Sequence, residues 1–257
     1  MNEFFSKLLG LPVLASKQGQ DVDALIIYVH WLMIVLFVGW MVYFAYALLR
    51  FRKTRHPKAD YVGVKGHASN WIEGAVAVIE GVLLLGFAIP LWARAVDKFP
   101  KPEESTVIQI VAQQFAWNVR YAGADGKLGK QDMGLVADNN LFGVDLNDPQ
   151  SKDDVQTQSQ IHVPVNKPVL AHISSKDVIH SFKIIAMRVC QDAIPGLRIP
   201  THFTPTKVGR YQINCAQLCG SGHSGMSGGF LIVDTEEDFQ KWLAAQPKAG
   251  TAPTSFE

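Results

Sequence analysis

Cysteine is scarce, with three in 257 residues, too few to staple a disulfide-built scaffold. None lies in a Cys-x-x-Cys-His pattern, so no covalently attached haem is carried on this chain. There is no dinucleotide glycine fingerprint, no phosphate loop and no internal repeat. A formal net charge of +1 offers no reason to expect nucleic acid. One local absence is more telling: residues 24–49 contain no Asp, Glu, Lys or Arg.

At 1.5 Å per residue that uncharged run reaches about 39 Å, more than the roughly 30 Å of a hydrocarbon core. It is expected to span a membrane with some tilt. Residues 71–93 form a second run of spanning length. It carries Glu73 and Glu80, seven apart and therefore on one helix face. A carboxylate within a span is costly unless it faces protein or water, so this face calls for a partner inside the membrane. The intervening loop begins R-F-R-K-T-R-H-P-K, while the N-terminal tail holds only Lys7 and Lys17. The positive-inside rule puts the loop in the cytoplasm or its organellar equivalent, and both termini on the opposite side.

Beyond the stiff K-F-P-K-P linker the pattern changes. T-V-I-Q-I-V-A-Q-Q-F-A-W-N-V-R-Y alternates apolar and polar residues, as strands do. Residues 122–160 are rich in Asp, Asn, Gly and Lys and read as one long loop with an acidic surface. Short apolar runs separated by turn signals follow, which argues for an all-β sandwich. The division expected is a tail at 1–23 lying at a membrane surface, a hairpin of spans at 24–97, a β domain at 98–235, and a C-terminal tail at 236–257 with a short helix at 236–245.

Residues 215–226 read C-A-Q-L-C-G-S-G-H-S-G-M. Two thiols, an imidazole and a thioether within one loop are soft or borderline donors, the set that selects copper over hard cations. A mononuclear blue-copper loop needs only one Cys, so the second thiolate suggests a bridge between two copper ions. One more His is expected upstream, and His180 in D-V-I-H-S-F is the candidate. A Cys215–Cys219 disulfide or a structural zinc site are the competing readings; the disulfide leaves His223 and Met226 without a role. Cys190, His162, His172 and His202 are read as packing or surface residues.

With paired spans, D-V-I-H-S-F, D-A-I-P-G and Cys-x3-Cys-x3-His-x2-Met, the chain resembles subunit II of the haem–copper cytochrome c oxidases over about residues 24–235. That resemblance implies two transmembrane α-helices followed by an all-β, cupredoxin-like Greek-key sandwich. It also implies a binuclear copper centre (CuA) that takes electrons from cytochrome c, or a similar haem c donor, and passes them to haem in subunit I of a proton-pumping oxidase. The implied partners are subunit I, other oxidase subunits and membrane lipid. The implied setting is a bacterial plasma membrane or mitochondrial inner membrane, with the copper domain on the periplasmic or intermembrane side. Carried over residue by residue, Cys215 and Cys219 bridge both coppers, His180 and Met226 complete one, and His223 with the Gln217 carbonyl complete the other.

Three positions depart from the family pattern. Gln217 stands where Glu is frequent, and a neutral amide is a weaker oxygen donor, so the magnesium at the subunit I interface carries over only weakly. Q-F-A-W replaces Q-W-Y-W, leaving Phe115 or Trp117 as the residue that receives electrons. Glu73 matches the carboxylate at the mouth of one proton-uptake path, whereas Glu80 falls where Pro is common and has no counterpart. A quinol oxidase subunit shares the scaffold without the metal, and a membrane-tethered copper carrier needs no carboxylate face.

Overall fold

In the computed structural model, residues 2–58, 61–63 and 65–249 are described. They form two compact units, one of residues 1–11 and 21–94 and one of Pro12–Gln20 with the chain from Ala95 onward.

The first unit is helical. α1 (Asn2–Leu8) is followed by α2 (Gly19–Arg50). The helix thus starts five residues before the uncharged run, within the segment assigned to the tail. The first-turn Asp21 complements the positive end of its dipole, which lets the helix extend past the last apolar residue. The second run is one continuous helix of three parts: α3 (Ala68–Val82), a π-helical turn (Leu83–Ala88) and α4 (Ile89–Val96). Pro90 explains the widening, because its ring and missing N–H cannot be accommodated in an unbroken i→i−4 ladder. The stretches Gly19–Arg50 and Ala68–Val96 are both long and apolar enough to cross a membrane. Arg94 Nη1 donates to Asp21 Oδ2 at 3.0 Å, joining α4 to the start of α2. Glu73 and Glu80 are both exposed on α3.

The second unit is a sandwich of two five-stranded sheets. Its strands are β1 (Thr106–Gln113), β2 (Ala116–Tyr121), β3 (Val155–Gln158), β4 (Gln160–Pro164), β5 (Val169–Ser175), β6 (His180–Ile184), β7 (Val189–Ala193), β8 (Ile199–Phe203), β9 (Gly209–Cys215) and β10 (Gly229–Asp234). One sheet runs β3-β2-β1-β5-β8 and the other β4-β10-β9-β6-β7. The parallel pairings β1–β5 and β10–β4 join strands distant in sequence. Inward-facing residues such as Ile108, Ile110, Val119, Ile173, Phe182, Ile213 and Leu231 are fully buried and fill the space between the sheets. This is the cupredoxin-like architecture that the resemblance implies.

Three boundaries differ from the sequence reading. The long loop ends at Asp154, since Val155–Gln158 pairs with β2 at the sheet edge. Only Val155 of that strand is buried, so V-Q-T-Q carries no apolar alternation to betray it. Residues 12–20, within the tail expected at a membrane surface, belong to the β unit. Ala15 accepts from Thr206 N–H and donates to Ala186 O, both at 2.8 Å, and Ser16 Oγ donates to Met187 O at 2.7 Å. Arg188, in the left-handed region at φ 53, donates through Nη2 to Pro12 O at 2.8 Å. The helix expected at 236–245 forms with those bounds but packs on the β domain rather than lying in a separate tail. α5 (Glu236–Ala245) is capped by Thr235, buries Phe239, and stacks Trp242 on His162 with ring centroids 4.0 Å apart. Residues 250–257, the end of the expected C-terminal tail, lie outside the described residues.

A buried ion pair ties the long loop to the sheet. Arg120 and Asp154 are both fully buried and bonded to one another. Arg120 also donates to Gln109 Oε1 at 3.1 Å and to Gly129 O at 2.9 Å. Removing one member strands the other's charge in low dielectric, which costs about 3–5 kcal/mol. Arg120→Met is therefore expected to destabilise by that amount in denaturant unfolding followed by tryptophan fluorescence. The Arg120→Met/Asp154→Leu pair is expected to recover most of the loss, and an unchanged midpoint in the single variant would contradict this account.

Candidate metal centre

Two adjacent strands of one sheet and the loop between β9 and β10 position the donors. β9 ends on Cys215, and antiparallel pairing with β6 sets Cys215 opposite Phe182, two residues along from His180. The loop returns through a 3-10 turn (His223–Gly228) into β10, bringing His223 and Met226 back under the thiols. Cys215 Sγ and Cys219 Sγ are 3.9 Å apart and both cysteines are free, so the loop is not closed by a disulfide. Cys219 Sγ lies 3.4 Å from His223 Nδ1 and 3.4 Å from Met226 Sδ. On the other side, Cys215 Sγ lies 3.9 Å from His180 Nδ1 and 3.0 Å from the Gln217 carbonyl oxygen. The ligand atoms of His180, Cys215 and Cys219 fall within 4.8 Å of one another. His180, His223, Met226 and the Gln217 carbonyl each thus lie within 3.9 Å of one of the two sulfurs.

The imidazole of His180 is aimed by a neighbour. Asp177 Oδ1 is 2.8 Å from its Nε2, which holds the proton there and leaves the Nδ1 lone pair facing Cys215. Partial burial pushes the Asp177 carboxyl up. Hydrogen bonds from His180 and from the Gln114 and Val178 backbone outweigh that and hold it below the usual carboxylate range. Burial, then the adjacent Cys215, push the Cys219 thiol up to about 11. A second thiolate beside the first therefore needs a cation to stabilise it. Two thiol sulfurs, two imidazoles, a thioether and one carbonyl match copper better than a tetrahedral Cys/His zinc site, which has no place for thioether sulfur.

Trp117 and Phe115 occupy different places. Trp117 is fully buried, donates from Nε1 to Met226 O at 3.2 Å, and meets the His180 ring edge-to-face at 6.2 Å. It supports the donors from beneath and has no face for a soluble partner. Phe115 is 36% exposed and lies against the ligand loop. A Cβ on Gly222 would sit 2.4 Å from the Phe115 ring. Asp177 and Gln114 escaped the sequence reading; for Asp177 the signal was its place three residues before His180. Cys190 is exposed on β7, and His162 bonds Asp234 at 2.7 Å, both apart from the donor cluster.

The family model for the periplasmic domain of cytochrome c oxidase subunit II matches residues 106–233. An alternative cytochrome c oxidase subunit 2 of Bradyrhizobium diazoefficiens is 29% identical over 88% of this chain and 80% of its own length. A probable cytochrome c oxidase subunit 2 of Rickettsia bellii is 30% identical over 84% of this chain and 74% of its own. The cytochrome c oxidase subunit 2 of Thermostichus vulcanus is 46% identical over 57% of this chain, which spans only 35% of that relative. The crystal structure of the periplasmic domain of subunit II of cytochrome oxidase from Bradyrhizobium japonicum aligns with a TM-score of 0.40 at 26% identity, over 57% of this chain and 95% of that one.

Gly222→Ala is expected to force the Phe115 ring off the loop and to cost about 1–3 kcal/mol, the range for overpacking. Thermal unfolding measures it, and a melting temperature equal to the parent's would contradict the close approach. Five side chains that converge from two strands and one loop, in a sandwich preceded by two membrane-length helices, agree with the sequence matches: this chain belongs to the cytochrome c oxidase subunit II family.

Proposed function

We propose that this subunit holds two copper ions between Cys215 and Cys219 and receives single electrons there for a terminal respiratory oxidase. The observation that carries the reading is the second thiol: Cys219 Sγ sits within reach of Cys215, His223 and Met226 at once. When bound, a copper pair supplies reversible one-electron transfer, with the charge change shared over two metals. His180 and the Gln217 carbonyl on the Cys215 side, and His223 and Met226 on the Cys219 side, would complete the donor set around the two sulfurs. Asp177 keeps the His180 ring oriented in both redox states. The sandwich limits how far the donors move on electron transfer, and the buried Trp117 excludes water from beneath the loop.

Electrons arrive at Phe115, the exposed ring over the loop, from cytochrome c or a similar haem c donor. They leave for haem in subunit I, which together with other oxidase subunits covers the outward-facing Glu73 side of α3. Both membrane-length helices span lipid, and Glu73 stands at the mouth of a proton path. Glu80 has no role in this reading. The Gln217 side chain is an exposed neutral amide, a weaker oxygen donor for magnesium at the subunit I interface than a carboxylate.

Two substitutions in the assembled oxidase test the site. Cys219→Ser is expected to abolish the copper–thiolate absorption and most turnover with reduced cytochrome c, because serine cannot bridge the pair. Retained absorption would reject the bridging role. Gln217→Ala is expected to leave the copper spectrum nearly intact, because only the backbone carbonyl is used, and a lost spectrum would refute that assignment.

A further inference from the structure

The turn between β1 and β2 carries none of the donors, yet it is bonded to both arms of the donor set. Gln114 Nε2 donates to the Cys219 carbonyl oxygen at 2.6 Å. The backbone N–H of Gln114 donates to Asp177 Oδ2 at 2.7 Å, and the other oxygen of that carboxylate lies 2.8 Å from His180 Nε2. One residue thus links the loop that bears Cys219 to the support beneath His180. The next residue is Phe115. The space these side chains use is taken from two glycines. A Cβ on Gly220, which sits at φ +139, would lie 2.7 Å from Gln114 Nε2 and 3.2 Å from Phe115 Cζ. Gly222 is closer still to the ring.

Gln114 is otherwise an exposed residue at a hairpin turn, so its side chain fills no core cavity. Core packing does not account for its two anchors. Electron transfer through protein falls off exponentially with the gap between donor and acceptor, which makes a fixed ring-to-ligand distance valuable. We infer that Gln114 is a positioning residue for electron transfer: its two hydrogen bonds clamp the Phe115 ring to the Cys219 loop and to the His180 support, so that ring and donors move as one body. This rests on reading the donor set as a copper centre with Phe115 as its receiving face. The step it serves is one electron leaving a reduced haem c donor, which is oxidised, and reducing the centre; no bond forms or breaks.

The test compares Gln114→Ala and Gln114→Glu in the full-length chain. Glutamate matches glutamine in size but turns an oxygen rather than an N–H toward the Cys219 carbonyl. Hydrogen exchange at residues 216–224 of the metal-free protein is expected to quicken roughly fivefold in both variants, the factor that one net hydrogen bond contributes. In the assembled oxidase both are expected to keep the parent's copper content and half-saturating donor concentration. The limiting rate of reduction by a reduced haem c protein is expected to fall severalfold. Unchanged exchange, an unchanged limiting rate, loss of copper from the variants, or a Gln114→Glu protein indistinguishable from the parent would each overturn the inference. Absence of copper from the parent itself would instead overturn the metal reading, and the exchange measurement would still decide whether Gln114 clamps the loop.

Discussion

Everything in the β unit turns on holding two thiols side by side without joining them. Cys215 and Cys219 approach to 3.9 Å in a partly buried site, where burial and the neighbouring sulfur both oppose ionisation of Cys219. That arrangement is unfavourable for a metal-free protein and has to be imposed by the surroundings. Cys215 is fixed by the β6–β9 ladder, and the Cys219 carbonyl accepts from Gln114. The far end of the loop is held where Trp117 donates to Met226 O. Three separate pieces of the sandwich are therefore committed to one loop.

The same economy orients the His180 imidazole. Asp177 sits just ahead of β6 and reaches His180 without any help from the loop, so one donor is preset by the sheet while the others arrive with the turn. A site built half on strands and half on a loop takes its rigidity from the strands and from the bonds that hold the loop to them. The helical unit serves a different end. It presents long apolar faces and two carboxylates on α3, next to a π-helical turn made necessary by Pro90. Carboxylates on an apolar helix imply protein on that side.

Much of this was legible in the sequence, and the reasons are physical. The uncharged run and its basic flank announce a span because lipid tolerates little else. Cys-x3-Cys-x3-His-x2-Met announces a soft-donor site because few other tasks need those side chains so close. His180, singled out upstream of the loop, lies on a different strand and comes within 3.9 Å of the Cys215 sulfur. What stayed hidden depends on contacts between distant segments. The packing of Ala15 and Ser16 against Ala186 and Thr206 has no periodic signature, and neither does the polar edge strand at Val155–Gln158. The aromatic pattern named both Phe115 and Trp117, but only burial separates an exposed ring from a supporting one.

Metal analysis of the purified full-length chain, combined with a thiol count, tests the account most directly. Two copper ions per chain, no zinc, and both thiols of the loop engaged as metal ligands are the expected result. A Cys215–Cys219 disulfide, or a single zinc in place of the copper pair, would contradict it.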